Sequence, residues 1–426
     1  MFEVKEKPRL VERAYLISCI HSERDRTEAE SLLDELDELT RNLGICVVGR
    51  EVIRIRKISP RFILGKGKVD AVLEEINECN ADVLIFDNEI SPAQQRNWET
   101  ESKILVIDRH EIILDVFAER AQTKEAKLQV RLARLEYSLP RLRRAWTHLS
   151  RQRGGGVTQR GEGEAQIELD QRMLRDQIAA TRREISQVSK QRQTGRSLRQ
   201  RLPLPSVAIV GYTNAGKSTL LNKLTGADSV AADKLFATLD PTSRRLKLPS
   251  GRLLVLTDTV GFIRKLPHRL VDSFKATLEE ALVADLILHL VDLSSPEYEA
   301  QMQTTQQVLA DLGAAENPLL VVYNKVDQLS EEVEKLRAKK ISNHSVFISA
   351  KTGEGVAILL EKLEDHFSGL TKEMRFLIPL SRYDLVARLK SQGELTEEET
   401  TENGFLVVGA PRGDLCQILG EYRQAS

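Results

Sequence analysis

The sequence contains no long hydrophobic run and few cysteines. No stretch approaches the roughly 18 apolar residues that a membrane helix needs, and residues 1–7 lack the apolar segment of a signal peptide. The four cysteines, Cys19, Cys46, Cys79 and Cys416, are too far apart to predict a zinc site or a redox pair. We therefore expect a cytoplasmic protein with reduced thiols, attached to a membrane at most peripherally.

The net charge is also small, but the charges are unevenly distributed. The 62 basic and 63 acidic residues give a net charge of −1, so the total indicates no class of partner. From Arg141 to Arg201, however, there are 15 basic and 6 acidic residues. This surplus is typical either of an anion-binding surface or of an ordinary solvated pair of helices. If it binds RNA, the predicted phosphate contacts are Arg141, Arg143, Arg144, Arg151, Arg153 and Arg160.

A chain of 426 residues is long enough for several domains. The pattern predicts a multidomain α/β protein with four parts: an N-terminal α/β domain at 1–120, a basic helical hairpin at 121–201, an α/β domain with a mostly parallel sheet at 202–369, and a small α+β domain at 370–426. In the first part, predicted strands at 14–19, 82–86 and 103–108 alternate with predicted helices at 28–42 and 68–80, which favours a parallel sheet. The last part contains a predicted helix at 382–390, an acidic loop around Glu398 and a strand at 405–409.

Leucines in the second part recur at alternating steps of four and three. Leu128, Leu132, Leu135 and Leu139 begin this series, which is the seam of a helix packed on another helix. Pro140 predicts a kink. A second seam runs through residues 167–188, and residues 151–164 predict a flexible tip rich in Gly and Arg. The simplest structure is an antiparallel hairpin.

A phosphate-binding loop is predicted after the apolar strand at 207–210. Its glycines let backbone N–H groups surround phosphates, and a helix follows directly. We expect Lys217 to contact the outer phosphates and Ser218 to bind Mg²⁺. The nucleotide-binding residues predicted here are Gly211, Tyr212, Thr213, Asn214, Ala215, Gly216, Lys217, Ser218 and Thr219.

Three shorter motifs follow later strands and predict a guanine nucleotide, so we expect residues 202–369 to be a G domain. Asp258 can reach Mg²⁺ through a water, and the Gly261 N–H can contact the γ-phosphate. Asp327 can accept two hydrogen bonds from guanine, which adenine does not offer, and an unpaired buried carboxylate costs about 1 to 3 kcal/mol or more. We expect a backbone N–H of the third motif to reach the guanine O6. The motifs are Asp258, Thr259, Val260 and Gly261; Asn324, Lys325, Val326 and Asp327; and Ser349, Ala350 and Lys351.

The segment between the P-loop and Asp258 should contain the switch I threonine. Phe236, Ala237, Thr238, Leu239 and Asp240 are its predicted nucleotide-binding residues. Thr238 is the predicted second Mg²⁺ ligand, with Thr242 as the reserve and the absence of any metal ligand here as the alternative.

The predicted catalytic residues are Lys217, Thr238 and Gly261. Ras-like enzymes place a water-orienting Gln directly after the glycine, where this chain has Phe262. A phenyl ring cannot orient water, so hydrolysis needs another group, a bound ion or a partner. Phe262 is either a core anchor or a direct participant.

These motifs, taken together with three further stretches, resemble the HflX GTPases over nearly the whole chain. The further stretches are Phe62 to Lys68; Gly161 to Glu164 ahead of Ile167 to Asp170; and Phe262, Ile263, Leu266, Pro267 and His268. Residues beyond Gly369 contribute no recognised motif.

The resemblance implies a bacterial GTPase that binds the large ribosomal subunit and its rRNA and dissociates stalled or idle ribosomes under stress. GTP binding would drive the active state and hydrolysis its release, with turnover slow until the ribosome stimulates it. The resemblance also implies Mg²⁺, K⁺ near Asn214, and ATP at the N-terminal domain, although Gly65 and Gly67 are more typical of a helix start. We expect a monomer. The alternatives are an RNA-remodelling ATPase or GTPase and a factor acting on tRNA or small RNA.

Overall fold

The structure is a computed structural model that describes residues 11–145, 158–199, 204–226, 235–236, 238–265, 282–329, 345–368, 374–391, 395–401, 403–409, 415 and 418–423. These residues form two compact units. The N-terminal unit comprises the described residues within 1–186, 233–240 and 264–275, and the P-loop unit comprises those within 187–232, 241–263 and 276–426. The predicted class, a multidomain α/β protein, is confirmed. The four domain boundaries stay predictions.

The N-terminal unit contains a four-stranded sheet in the order β2-β1-β3-β4, in which all neighbours are parallel. Its strands are β1 (Arg13–Ile20), β2 (Cys46–Arg54), β3 (Val83–Phe86) and β4 (Leu105–Asp108), and its helices are α1 (Arg26–Asn42), α2 (Lys66–Glu78), α3 (Pro92–Ser102) and α4 (Arg109–Arg120). The predicted strands and helices are confirmed, whereas β2, α3 and α4 were not predicted. Every residue of β1 from Ala14 to Ile20 is buried, because a central parallel strand is covered on both faces.

Trp98 is at the centre of this unit's core. Its side chain is fully buried, and its indole Nε1–H donates to the Phe62 carbonyl oxygen at 2.9 Å. The rings of Phe62 and Phe86 both lie 5.5 Å from the Trp98 ring. Phe62, which begins one of the stretches that carry the family resemblance, is therefore a core residue.

Two long helices follow, α5 (Lys124–Ala145) and α6 (Thr158–Arg199). Helix α5 continues past Pro140 and contacts α4 and α3, while an Arg182–Glu136 ion pair of 2.7 Å joins α6 to α5. The predicted flexible tip at 151–164 is wrong in part, because residues 158–164 are helical. The good helix formers around Gly161 and Gly163 outweigh the cost of about 1 kcal/mol for each glycine. Residues 151–157 lie outside the described residues.

The P-loop unit contains a six-stranded sheet in the order β10-β9-β8-β5-β7-β6, parallel except for β6. Its strands are β5 (Ser206–Gly211), β6 (Thr242–Lys247), β7 (Leu253–Asp258), β8 (Leu286–Asp292), β9 (Leu319–Asn324) and β10 (Ser345–Phe347), and its helices are α7 (Lys217–Thr225), α8 (Tyr298–Leu312) and α9 (Val356–Ser368). The predicted mostly parallel sheet is confirmed. The carboxyl ends of parallel strands meet at one edge, where ligands bind in such sheets. The motifs that follow β5, β7, β9 and β10 all begin at that edge.

The C-terminal part is α+β, as predicted. Strands β11 (Met374–Ile378), β12 (Leu395–Thr401) and β13 (Gly404–Gly409) form an antiparallel sheet in the order β11-β13-β12, and helix α10 (Tyr383–Ser391) packs on it. The predicted acidic loop is wrong, because Glu397, Glu398 and Glu399 lie in β12 and pair with β13. All three are exposed, and charged side chains facing solvent are tolerated on an edge strand.

Candidate nucleotide-binding site

The P-loop between β5 and α7 has a backbone that only glycine fits at two positions. Gly216 has φ +93°, and a Cβ there would lie 2.3 Å from the Asn324 Nδ2. Gly211 has φ +155°, and its Cβ would lie 2.2 Å from the Leu290 carbonyl oxygen. Asn214 is half-buried and also has a positive φ of 60°. The loop is thus shaped by close backbone approach, as a phosphate cradle requires.

Lys217 is the first residue of α7 and is buried. Its Nζ donates to the carbonyl oxygens of Tyr212 at 2.8 Å and Gly211 at 3.3 Å. Burial lowers the pKa of Lys217 to about 8, and the Asp258 carboxylate opposes that shift. A buried cation at a helix N-terminus is suited to an anionic phosphate, as the sequence predicts.

Ser218 and Asp258 come together although 40 residues separate them. The Ser218 hydroxyl donates to Asp258 Oδ2 at 2.7 Å, and Asp258 is buried at the end of β7. Hydroxyl and carboxylate oxygens are the ligands that Mg²⁺ prefers, so this pair fits the predicted ion. In P-loop NTPases Mg²⁺ is held by the P-loop Ser or Thr and by an Asp. The other predicted ligand, Thr238, belongs to the N-terminal unit.

Gly261 and Phe262 lie against the P-loop through their backbone. A Cβ on Gly261 would lie 2.8 Å from the Thr213 Cα and 2.9 Å from the Lys217 Nζ. The Phe262 N–H donates to the Gly211 carbonyl at 3.1 Å, and its carbonyl accepts from the Thr213 N–H at 2.7 Å. The Phe262 side chain is buried in the core. Of the two roles open from the sequence, the structure favours that of a core anchor.

Asn324 links three of the predicted motifs. Its Nδ2 donates to the Ala215 carbonyl oxygen at 2.8 Å, and its Oδ1 accepts from the Ala350 N–H at 2.9 Å. The buried Asn324 side chain therefore holds the P-loop and the two base-recognition loops in register. The Ala350 N–H, which is one candidate donor for guanine O6, is used by Asn324 here.

Asp327 lies in a short 3-10 helix, Val326–Gln328, directly after Lys325. Lys325 has φ 65°, and its Nζ pairs with Asp292 at 2.8 Å. Asp327 is exposed in the protein alone, and its contact with guanine stays a prediction. Ser349 is buried, and Lys351 is exposed beside it.

The switch I residues are placed differently from the other motifs. Phe236 and Asp240 belong to the N-terminal unit, where Phe236 packs on Phe117 and Asp240 accepts hydrogen bonds from Thr123. These two side chains therefore anchor the segment in this unit, and nucleotide binding by the switch I residues stays a prediction. Thr238 and Leu239 lie between them. Ala237 lies outside the described residues, and the reserve ligand Thr242 begins β6 opposite Asp258.

Sequence reasoning missed His289. This residue lies in β8 opposite Val210 of β5 and is buried. Burial, followed by the nearby Lys217 charge, lowers the pKa of His289 to about 4. A neutral imidazole therefore lies behind the P-loop. Only the pairing of β8 with β5 brings it there, so no local signal could have identified it.

One of the predicted RNA contacts has a structural role instead. The Arg141 guanidinium pairs with Asp108 at 3.0 Å and lies over the Tyr137 ring at 3.4 Å, with 17% of the side chain exposed. Arg141 is thereby removed from the predicted phosphate contacts, because its charge is already neutralised inside the N-terminal unit. Arg143, Arg144 and Arg160 are in α5 and α6, while Arg151 and Arg153 lie outside the described residues.

The N-terminal Gly65 and Gly67 mark a helix start. Gly65 is the N-cap of α2, and its carbonyl accepts from the N–H groups of Lys68 at 3.0 Å and Val69 at 3.1 Å. A separate cavity opens at the carboxyl ends of β1 and β3, lined in part by Cys19, Asp87 and Asn88. ATP binding by this unit stays a prediction.

The fold and the site together define the class of protein. A glycine-shaped P-loop follows the central strand β5, Asp258 ends β7 beside the P-loop serine, and Asn324 joins both base-recognition loops to the phosphate loop. This is a P-loop GTPase, which hydrolyses GTP to GDP and phosphate.

The chain belongs to the HflX GTPase family. It is 48% identical over 418 residues to the GTPase HflX of Akkermansia muciniphila, covering 96% of each chain, and 41% identical over 374 residues to that of Escherichia coli K12, covering 87% of each. Residues 206–325 match the family described as 50S ribosome-binding GTPase, residues 120–199 the GTP-binding GTPase middle region, and residues 30–118 the GTP-binding GTPase N-terminal region.

A solved structure is less similar to this chain than those relatives are. A GTP-binding protein from the hyperthermophilic archaeon Sulfolobus solfataricus, in complex with GDP, is 25% identical with a TM-score of 0.43, covering 84% of this chain and 100% of its own. Among the described residues of our chain, no helix is long and apolar enough to span a membrane.

Proposed function

We propose that this GTPase binds the large ribosomal subunit and separates stalled or idle ribosomes into subunits. The observation that carries the proposal is the match of residues 206–325 to the 50S ribosome-binding GTPases. GTP binding produces the state that docks on the subunit, and hydrolysis releases the protein. This work on ribosomes takes place in the cytoplasm.

The site supports a division of roles among its residues. Lys217 neutralises the outer phosphates, the Gly261 N–H contacts the γ-phosphate, and Asp327 selects guanine. Ser218, with Asp258 behind it and Thr238 from switch I, would hold Mg²⁺, which screens the phosphate charge when bound.

Because Phe262 is a core residue, the water-orienting group comes from elsewhere. Asn214, half-buried with a positive φ in the P-loop, is the residue we assign to a K⁺ ion that would add positive charge near the phosphates. The ribosome completes the water-orienting arrangement by rearranging the site, so GTP turnover by the free protein is slow.

The basic stretch supports an RNA contact. The arginines that remain after Arg141 is removed are Arg143, Arg144, Arg151, Arg153 and Arg160. Charged contacts to phosphates release counterions, so binding to large subunits should weaken steeply as salt increases. Replacing Arg151, Arg153 and Arg160 with Gln should flatten that salt dependence. An unchanged slope would remove these residues from the contact.

The direct test follows ribosomes on sucrose gradients. We expect the protein to convert 70S particles to subunits with GTP or a nonhydrolysable analogue but not with GDP, and to leave the large subunit only when GTP can be hydrolysed. The matched control is Lys217→Ala, which should fail with GTP. Intact 70S particles with every nucleotide would contradict the proposal. Splitting by Lys217→Ala with ATP alone would favour an RNA-remodelling ATPase, and turnover stimulated by tRNA but not by subunits would favour a tRNA factor.

A further inference from the structure

Asp240, two residues after Thr238, is tied to the start of helix α5. Its Oδ2 accepts from the backbone N–H groups of Gln122 and Thr123, both at 3.1 Å, and its Oδ1 accepts from the Thr123 hydroxyl. The carboxylate therefore lies at the N-terminus of a 22-residue helix, where the helix dipole favours negative charge.

Helix α5 does not need Asp240 for its own cap. The Thr123 Oγ1 already accepts from the Ala126 N–H at 3.1 Å, and the Thr123 carbonyl accepts from the Lys127 N–H at 3.0 Å. Gln122 and Thr123 are exposed, so water could satisfy their N–H groups. The contact with Asp240 therefore constrains the switch segment more than it completes the helix.

Phe236, two residues before Thr238, forms a second anchor. Its ring packs edge-on against Phe117 of α4, with 4.6 Å between centroids, and both side chains are buried. Phe236 has φ 55°, a left-handed conformation that non-glycine residues rarely adopt. Such a conformation persists where the surroundings determine it, and it is found most often at functional sites.

We propose that Asp240 and Phe236, held by Thr123 and Phe117 of the N-terminal unit, are positioning residues that set the backbone on both sides of Thr238 for GTP hydrolysis. In small GTPases the switch I segment is ordered by its contacts with the γ-phosphate and Mg²⁺ and is released on hydrolysis. A segment already fixed at both ends loses less conformational entropy when Thr238 engages. The inference rests on the proposed role of Thr238 as a metal ligand.

The test compares Asp240→Ala with wild type in the full-length protein. We expect a fall in kcat for GTP of about tenfold, which corresponds to about 1.4 kcal/mol, together with a higher Mg²⁺ concentration for half-maximal turnover. GDP affinity should stay within about twofold, because the P-loop is unchanged. Asp240→Asn, which keeps an acceptor oxygen for the backbone N–H groups, should restore most of the turnover. A kcat within twofold of wild type for Asp240→Ala overturns the proposal.

A matched control separates positioning from general destabilisation. Ser22 caps the short helix Glu23–Asp25 of the same unit by accepting from the Arg24 N–H at 3.2 Å. Ser22→Ala removes a capping interaction of the same kind at a distance in sequence from switch I, so turnover and the Mg²⁺ requirement should not change. An equal loss of GTP turnover in Ser22→Ala and Asp240→Ala would overturn a specific role for Asp240.

A double variant distinguishes this inference from the proposed role of Thr238. If Asp240 acts through Thr238, adding Asp240→Ala to Thr238→Ala should change kcat by less than about twofold, since the two effects share one interaction. Full additivity would overturn the positioning role. If Thr238→Ala alone leaves kcat and the Mg²⁺ requirement unchanged, the metal-ligand role itself fails. If Thr238→Ala is impaired and Asp240→Ala is not, only the positioning role fails.

Discussion

The P-loop is held within its own unit, by the Asn324 side chain bonded to Ala215 and by the Phe262 backbone bonded to Gly211 and Thr213. Switch I is held by residues far from it in sequence, since Asp240 bonds to Gln122 at a separation of 118 residues. A loop that binds phosphate in every state gains from rigid attachment to its own sheet. A segment that engages the nucleotide in one state loses less conformational entropy when other residues already fix its ends.

The segment after switch II, like switch I, is held by residues that are far from it in sequence. Directly after Phe262 and Ile263 the chain enters the N-terminal unit, where the Arg264 Nη2 donates to the Ser31 hydroxyl at 2.7 Å and the Lys265 Nζ pairs with Asp87 at 2.6 Å. Asp87 also pairs at 2.9 Å with the buried Arg109, which pairs in addition with Glu35. Both switch segments therefore depend on side chains of the N-terminal unit.

The largest expected effect comes from breaking this buried charge cluster. Arg109→Met removes positive charge that neutralises Asp87 and Glu35 inside the unit. Removing one partner of a buried ion pair lowers the free energy of unfolding by about 3 to 5 kcal/mol. Urea unfolding followed by Trp98 fluorescence, in a Trp146→Phe background, should show this loss while GDP affinity is preserved.

The matched control for that cluster is an exposed pair in the same unit. Arg182 is 65% exposed and pairs with Glu136, so Arg182→Met should cost less than about 1 kcal/mol. A parallel loss of GDP affinity in Arg109→Met would mean that the P-loop also depends on the N-terminal unit, which would remove the difference between the two regions.

The next largest expected effect is a loss of nucleotide affinity when the P-loop backbone is distorted. Gly216→Ala combines a φ of +93° with a Cβ placed 2.3 Å from the Asn324 Nδ2, and strain of about 3 kcal/mol would weaken binding about 100-fold. Titration with fluorescent GDP and GTP should show equal losses of affinity for both nucleotides. Asp240→Ala, by contrast, should keep its GDP affinity. Gly67→Ala, where nothing lies within 4 Å, should bind both nucleotides normally, and so should serve as the control.

Base selection should be independent of both switch anchors. Asp327→Asn should reduce the preference for GTP over xanthosine triphosphate by about 10- to 100-fold, because unpaired polar groups at the base cost about 1 to 3 kcal/mol. Competition against fluorescent GDP measures this preference. Asp240→Ala should retain the wild-type preference. An unchanged preference in Asp327→Asn would remove this residue from guanine recognition.

The smallest expected effect concerns how the stability of the N-terminal unit depends on pH. Burial, reinforced by Asp108 and Asp115, raises the pKa of Glu111 from 4.5 to about 7. Between these values the folded state binds more protons than the unfolded state, so the stability contribution is present below pH 4.5 and is lost as the pH rises through about 7.

Glu111→Gln should therefore be more stable than wild type at pH 8, by about 1 to 2 kcal/mol once solvent screening of this half-buried carboxyl reduces the effect of the full shift, and the difference should be smaller at pH 5. Urea unfolding reported by Trp98 measures both. Nucleotide affinity should be the same for the two proteins at each pH. Equal stability of the two proteins at pH 8 would show that Glu111 ionises without cost.

Much of the nucleotide site could be predicted because its groups follow strands in short, local patterns. Lys217, Asp258 and Asn324 each lie at or just after the carboxyl end of a parallel strand or its loop, and such ends converge at one sheet edge. Helix α3 was missed although it had a local signal, since Ser91, Pro92 and Gln94 form a capping box with Pro at the first turn. Strand β12 could not be found, because its glutamates gain their conformation by pairing with β13.

The sequence by itself determined the nucleotide, the class of enzyme and the family, because these depend on residue types at fixed local spacing. Only the tertiary structure decided what holds the switches. Nothing local in Phe236 or Asp240 indicates Phe117 or Thr123, since packing and capping partners are chosen when distant segments come together. The same physical reason applies to Arg141, whose charge looked available to RNA in the sequence but is neutralised by Asp108 in the fold.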